Sequence, residues 1–194
     1  MQVIAYQDLI ATPWKNGAGV TRELACYPAG ATLDDFIWRV SIADVGQSGP
    51  FSRFDGVDRV IALLDGGGMR LQFAHGARHD LSARLAPYAF RGEDNVHAQL
   101  FGTPSRDFNL MLRRGAAHGT LEVHRASSVI ARNHSTLLVF CATGSWQVSS
   151  GSVQNMRQGD TMLIEESVQD TIITALAADS ALLCARITLA QAGR

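Results

Sequence analysis

Apolar positions in this chain recur with a period of two. Runs of 4–9 residues rich in Val, Ile, Leu and Phe alternate with polar residues and are cut by Gly, Asp, Ser or Pro. That is the signature of half-buried strands. The pattern predicts strands near 2–6, 20–27, 36–43, 59–64, 69–73, 81–85, 96–101, 107–113, 120–125, 128–131, 135–142, 146–149, 161–165, 170–177 and 181–189. Breakers fall at Gly46 to Pro50, Asp65 to Gly68, Gly102 to Ser105, Gly144 and Gly151. Only Tyr6 to Ala11 and Thr32 to Asp35 read as helical turns. About fifteen short strands at near-regular spacing indicate an all-β sandwich or barrel.

The segment Arg59-Val-Ile-Ala-Leu-Leu-Asp-Gly-Gly-Gly-Met-Arg-Leu reads as strand, tight glycine turn, strand. Thr136-Leu-Leu-Val-Phe-Cys-Ala-Thr-Gly-Ser-Trp-Gln-Val reads the same way. This is the local grammar of a cupin, a small jelly-roll (double-stranded β-helix) barrel. Two copies suggest a bicupin, two cupin-like barrels in one chain, with any other all-β fold built of hairpins as the alternative. The internal boundary falls at Arg114 to Gly119, giving a barrel over 1–115 with the expected ligand pocket. A degenerate barrel follows over 116–194, with which the N-terminal strand is free to pair.

A cupin raises the question of a metal. Its usual first motif presents His-x-His and then Glu, with the imidazoles and carboxylate converging on one divalent ion. Counting back from Gly66 puts those positions at Ser52, Phe54 and Arg59; counting back from Gly144 puts them at Ile130, Arg132 and Leu137. Gly92 takes the place of the last ligand in the first copy. None of these supplies a metal site, and Arg59 brings a fixed positive charge. His75 and His79 read as solvated residues of a polar hairpin tip. His97 reads as a structural strand residue, and His118, His124 and His134 are scattered. The expectation is no metal and no cofactor.

Without a metal, an inward arginine becomes the charge of interest. A guanidinium is permanently protonated and presents a fork of donors matched to carboxylate or phosphate. Arg59 shares its face with Ile61 and Leu63, which suits an anion anchor inside a barrel; a strand-end pair with Asp55 or Asp58 is the plain alternative. Arg39, Ser41 and Ala43 share one face of their strand, and Asp107, Asn109, Met111 and Arg113 one face of theirs. Such faces meet water in half-exposed sheets or line a cavity in a barrel, and periodicity does not choose. Thr12-Pro13-Trp14-Lys15-Asn16-Gly17-Ala18-Gly19 is a second unusual stretch. Its glycines allow backbone N–H groups to approach an anion, or its Trp plugs a barrel end. No Gly-x-Ser-x-Gly elbow is present, and the adjacent pairs Asp34-Asp35 and Glu165-Glu166 face opposite ways on a strand.

Composition narrows the function classes. With 18 acidic and 17 basic residues the chain has no surplus of positive charge to meet nucleic acid. No apolar run reaches the roughly 18–20 residues of a membrane span, and the start lacks a signal-peptide pattern. Cys26, Cys141 and Cys184 lie far apart in apolar runs and read as buried, reduced thiols of a cytoplasmic protein.

Four sequence words then add up. Pro13-Trp14-Lys15-Asn16-Gly17-x-Gly19-x-Thr21-Arg22-Glu23 resembles the opening of the HutD family, also called Ves-type proteins. So do Trp38-Arg39-x-Ser41-x-Ala43-x-Val45, Gly49-Pro50-Phe51-Ser52-x-Phe54-x-Gly56-x-Asp58-Arg59, and Asp107-Phe108-Asn109-Leu110-Met111-x-Arg113-Arg114. The match covers the first 115 residues strongly; the rest matches by length and strand pattern. The resemblance implies a bicupin fold, a role modulating bacterial histidine utilisation, and a small-molecule pocket in the N-terminal barrel. Pathway intermediates of the urocanate and formylglutamate class are small carboxylates. They suit Arg59 and Arg39 as anchors with Asn16, Ser41 and Asn109 as orienting hydrogen bonders, and with Lys15, Ser52 and Phe54 as further ligand-binding candidates.

The expected partner is thus a small anionic metabolite, with no nucleic acid and no membrane, and a homodimer is compatible. No catalytic residue is assigned. Two other readings stay open: a metal-independent isomerase, epimerase or hydrolase using Asp107, Glu23 or His97, and a protein-interaction module with a vestigial pocket.

Overall fold

A computed structural model describes residues 3–14, 16–131, 134–165 and 169–190. Among these the only helical element is a 3-10 turn at Tyr6–Asp8; everything else regular is strand. Among the described residues no helix is long and apolar enough to cross a membrane. The chain divides into two compact units, Ile10–Ala116 and a second made of Met1–Leu9 with Ala117–Arg194.

The first unit has two antiparallel sheets. The six-stranded sheet runs Ala11–Pro13, Gly19–Tyr27, Trp38–Val45, Ser105–Arg113, Val57–Gly66, Tyr88–Arg91. The four-stranded sheet runs Gly49–Pro50, Val96–Leu100, Met69–Phe73, Arg78–Leu81. Ala43, Val45, Ile61 and Leu63 from the first sheet pack against Met69, Leu71, Phe73, Leu81, Val96 and Ala98 from the second.

The second unit repeats the plan. Its five-stranded sheet runs Val3–Ala5, Asp160–Ile164, Thr136–Thr143, Ala181–Leu189, Ala117–His124; its four-stranded sheet runs Ser128–Ile130, Thr171–Ala175, Ser145–Ser149, Val153–Arg157. The order Trp38–Val45, Ser105–Arg113, Val57–Gly66, Tyr88–Arg91 matches Ala117–His124, Ala181–Leu189, Thr136–Thr143, Asp160–Ile164 strand for strand. Leu137, Val139, Cys141, Leu182 and Cys184 meet Trp146, Val148 and Met156 in its core.

The glycine turns that mark the sequence repeat are corners, not hairpins. Val57–Gly66 lies in the six-stranded sheet and Met69–Phe73 in the four-stranded one, so the chain changes sheet between them. Gly144 marks the equivalent passage in the second unit. Gly66, Gly68 and Gly144 all have positive φ, at 91°, 81° and 71°. A side chain is strained in that region whatever the available space.

Strand 69–73 and strand 181–189 coincide with the sequence expectation, and most others differ by one to three residues at an end. The strand expected at 81–85 lies instead at Arg78–Leu81. A bidentate pair of Arg70 with the cross-strand Asp80, at 2.6 and 2.8 Å, ties it to its neighbour. His79, expected in solvent, stacks on Tyr88 with ring centroids 3.5 Å apart, and burial lowers its pKa. The turn expected at 32–35 is closed by the Asp35 carboxylate, which accepts from the Thr32 N–H at 2.6 Å and its hydroxyl at 2.7 Å. None of the three cysteines is in a disulfide; Cys141 and Cys184 are buried and Cys26 is half-buried.

At Gly68 a Cβ would stand 2.5 Å from the Leu81 carbonyl oxygen. Gly68→Ala is therefore expected to cost about 2 kcal/mol or more, since strain and clash add. Urea unfolding read by far-UV circular dichroism measures it.

Candidate functional site

The polar residues that interrupt the period-two pattern share the inner face of the six-stranded sheet. Register fixes this. Asn109 pairs with Ser41 on one side and Ile61 on the other, and Ile61 belongs to the core. Met111 lies between Arg39 and Arg59, and Asp107 between Ala43 and Leu63. Glu23 continues the Ser41 row, and Phe90 pairs with Arg59. Inner side chains on one strand are about 7 Å apart, so the group forms one contiguous polar patch.

Arg59 is its centre. The side chain is buried, with 7% of its surface exposed. Its Nε donates to the Asn109 side-chain oxygen at a long 3.4 Å. The guanidinium carbon lies over the rings of Phe90, Phe51 and Phe54, at 4.9, 5.5 and 5.7 Å from their centroids. Contacts of this kind with desolvated rings contribute about 1–2 kcal/mol each at most, far less than a counter-ion would. Among the described residues no carboxylate reaches ion-pair distance of it. The two acids considered for a strand-end pair are engaged elsewhere: Asp55 with Arg53 at 3.0 Å, Asp58 with Arg114 at 2.7 Å. Burial drives the Arg59 pKa down to about 10, opposed by the attraction of Asp107 and reinforced by the repulsion of Arg39.

Arg39 is placed differently. Its Nε donates to Glu23 at 2.7 Å and its Nη1 to the buried Ser41 hydroxyl at 3.2 Å. Asp107 is 2% exposed, and its Oδ2 has no hydrogen-bond partner among the described residues. Burial raises its pKa to about 7, against the pull of Arg59 and with a push from Asp44.

The sequence candidates thus divide. Arg59, Arg39, Ser41, Asn109 and Phe54 come together. Ser52 is exposed at the start of the loop that carries Phe54. Asn16 is exposed too, and its side-chain oxygen accepts the Ala18 N–H at 3.1 Å, closing the hairpin turn after Trp14. Lys15 lies outside the described residues. Trp14 packs on the inner cluster, and its indole N–H donates to Thr21 at 2.7 Å. Phe51 and Phe90 complete the surround of Arg59. Their only sequence signal was an aromatic inside a polar loop and one on a short edge strand. Glu23 and Asp107, weighed as acid–base groups, belong to the patch. His97 is exposed on the outer face of its strand.

The donor set does not fit a divalent cation. Where a cupin would offer two imidazoles and a carboxylate, this unit has an exposed hydroxyl (Ser52), a phenyl ring (Phe54) and a buried guanidinium (Arg59). In the second unit Ile130 and Leu137 are buried hydrocarbons, and Arg132 lies outside the described residues. Among the described residues no three His, Cys, Asp or Glu side chains cluster as metal ligands.

The Asp107 carboxyl has a stability consequence. Its pKa in the folded protein is raised from 3.8 to about 7. The unfolded chain therefore gives up this proton first, and stability falls as pH rises from about 4 to about 7. Asp107→Asn is expected to be nearly neutral at low pH and to stabilise by up to about 4 kcal/mol above pH 7, a bound for a full shift of this size. Melting temperatures of both proteins across that range, read by calorimetry, give the comparison.

Known proteins share the sequence and the geometry. The HutD family model matches residues 6–184. A 21.2 kDa protein in the hutC 3′ region of Pseudomonas putida is 37% identical over 159 residues, 82% of this chain and 83% of its own. Protein Ves of Escherichia fergusonii is 39% identical over 147 residues, 74% of this chain and 75% of its own. HutD from Pseudomonas fluorescens SBW25 superposes with a TM-score of 0.85 at 32% identity, covering 97% of this chain and 98% of its own. A cupin 2 conserved barrel domain protein from Leptotrichia buccalis, 8% identical, has a TM-score of 0.66 over 96% of each chain, which makes the fold cupin-like. On a match that spans nearly its whole length, this chain belongs to the HutD family.

Proposed function

We propose that this protein is a metal-free bicupin that binds a small carboxylate metabolite at Arg59 and thereby modulates histidine utilisation in the bacterial cytoplasm. One observation carries the reading. The two units repeat a strand order, and counting from the corner glycines Gly66 and Gly144 equates Arg59 with Leu137. Through the register, Asn109 then corresponds to Cys184 and Asp107 to Leu182. In the second unit these positions are sealed hydrocarbon and thiol. The fold itself therefore needs no charge there. Burying a cation without a contacting counter-ion costs several kcal/mol, so its presence supports a function.

The chemistry supports an anion. Nη1 and Nη2 of Arg59 are free of hydrogen bonds within the described residues, and together they match the two oxygens of a carboxylate. Asn109 and Ser41 offer neutral polar groups beside it. The pathway assignment draws on the hutC-region name of the Pseudomonas putida relative and on the HutD structure. Urocanate and formylglutamate are the first ligands to test.

A second reading has its own support. A buried carboxyl titrating near neutrality is suited to general acid–base work, and Asp107 lies in the same patch. Turnover of either compound by metal-stripped protein favours this enzyme reading over simple binding.

Saturating urocanate or formylglutamate is expected to raise the melting point, since a ligand at a hundred times its Kd stabilises by about 2.7 kcal/mol. Arg59→Ala is expected to abolish the shift, and Arg59→Lys to weaken it by losing the planar fork. Differential scanning fluorimetry reads both. A wild-type protein indifferent to both compounds, or an alanine variant that responds equally, removes the proposal.

A further inference from the structure

Asp107 has a role the anion anchor alone does not explain. It lies two residues from Asn109 on the same inner face, and Arg59 reaches toward it to donate to Asn109. Guanidinium, amide and carboxyl thus stand in a row. The carboxyl is almost wholly buried, and its Oδ2 meets no donor. Such an atom costs free energy unless something supplies its missing partner.

The groups around it limit what that partner is. The Trp38–Val45 strand sets Ala43 opposite, with Asp44 next along the chain. Asp44 is held by Arg22 and Arg106 at 2.7 and 2.5 Å and adds negative potential. The Val57–Gly66 strand sets Leu63 opposite and contributes Arg59. Beyond Ala43 lies Thr21, which accepts from Trp14, and in the next row Glu23, which is taken by Arg39. The facing sheet contributes Met69, Leu71, Phe73, Val96 and Ala98, and on its outermost strand the titratable His79, which pairs with Leu71 and stacks on Tyr88. Among the described residues Arg59 is thus the one cation acting on Asp107, and no ion pair joins the two.

We infer that Asp107 carries a proton when the site is filled and donates its carboxyl O–H to the oxyanion that Arg59 holds, so that each anion enters together with one proton. This rests on the reading of Arg59 as an anion site and adds its regulation. A guest carboxylate and an ionised Asp107 would compete for one guanidinium; two carboxyls in one site share a proton instead. The proton comes from solvent. The same transfer turns Oδ2 from an orphaned acceptor into a donor that meets the guest.

Calorimetric titration with formylglutamate and with formate, in buffers of different ionisation enthalpy, tests it. Neither compound titrates between about pH 6 and 9. Proton uptake is expected to approach one per anion above pH 7 and to vanish well below it, and Kd to rise about tenfold per pH unit above pH 7. Asp107→Asn keeps a donor and is expected to bind with no uptake and no pH dependence. Binding by the wild type above pH 7 without proton uptake overturns this inference alone. No binding of either compound at any pH overturns the anion site and this inference together. The wild-type proton inventory decides the matter if the asparagine variant fails to fold.

Discussion

The buried positive charge of Arg59 is the constraint that organises the first unit. A guanidinium out of water and out of contact with a carboxylate is an expensive group, and three aromatic rings only partly offset it. Its surroundings are arranged as if to leave it available. Asp55 and Asp58 are drawn away by Arg53 and Arg114, Glu23 by Arg39, and Asp44 by Arg22 and Arg106. These pairs are half-exposed and contribute little stability individually. The pair that bears on the site is Arg39–Glu23, because Glu23 stands in the Ser41–Asn109 row beside Arg59.

The second unit shows what the same strand order looks like without that constraint. Leu137, Cys184 and Leu182 pack with Trp146, Met156 and Met162, and all six side chains have almost no exposure. Close-packed apolar contact is the stable solution for two facing sheets. The first unit departs from it along Arg59, Asn109, Asp107 and Ser41, while Ile61, Leu63, Leu71 and Ala98 keep an apolar core beside the patch. A fold that packs well as hydrocarbon in one copy and carries a polar row in the other gives up stability along that row.

Much of this was legible in the chain. The period-two pattern placed the long strands, because each has one face packed and the alternation is forced. It missed Ala11–Pro13, Gly49–Pro50, Tyr88–Arg91 and Val153–Arg157. These are short, edge or near-edge strands whose partners, not their own side chains, make them strands. Arg78–Leu81 was displaced for a related reason: it is mostly polar and held by Arg70. The glycine repeat was visible, but whether it makes a hairpin or a change of sheet depends on pairing with distant strands. For the site, polar residues at inward parity exposed Arg59, Arg39, Ser41 and Asn109. Phe51 and Phe90 reach Arg59 from 8 and 31 residues away, a contact no local period encodes. Asn16 had the right chemistry, but its side chain is spent on its own turn.

The three rings also constrain what reaches the guanidinium. Phe90, Phe51 and Phe54 lie within 4.9–5.7 Å of its carbon, so hydrocarbon replaces water around the cation. The strong donors lie in the plane, at its edge, and Asn109 already takes the Nε–H. What is left is the pair of Nη groups. An acceptor must therefore approach edge-on, which a flat two-oxygen carboxylate does with both oxygens at once. Arg39 lacks this character, because Glu23 and Ser41 engage its Nε and Nη1. Two arginines one strand apart thus do different things. Arg39, held in place, adds positive potential beside Arg59, whose two Nη groups have no hydrogen bond within the described residues.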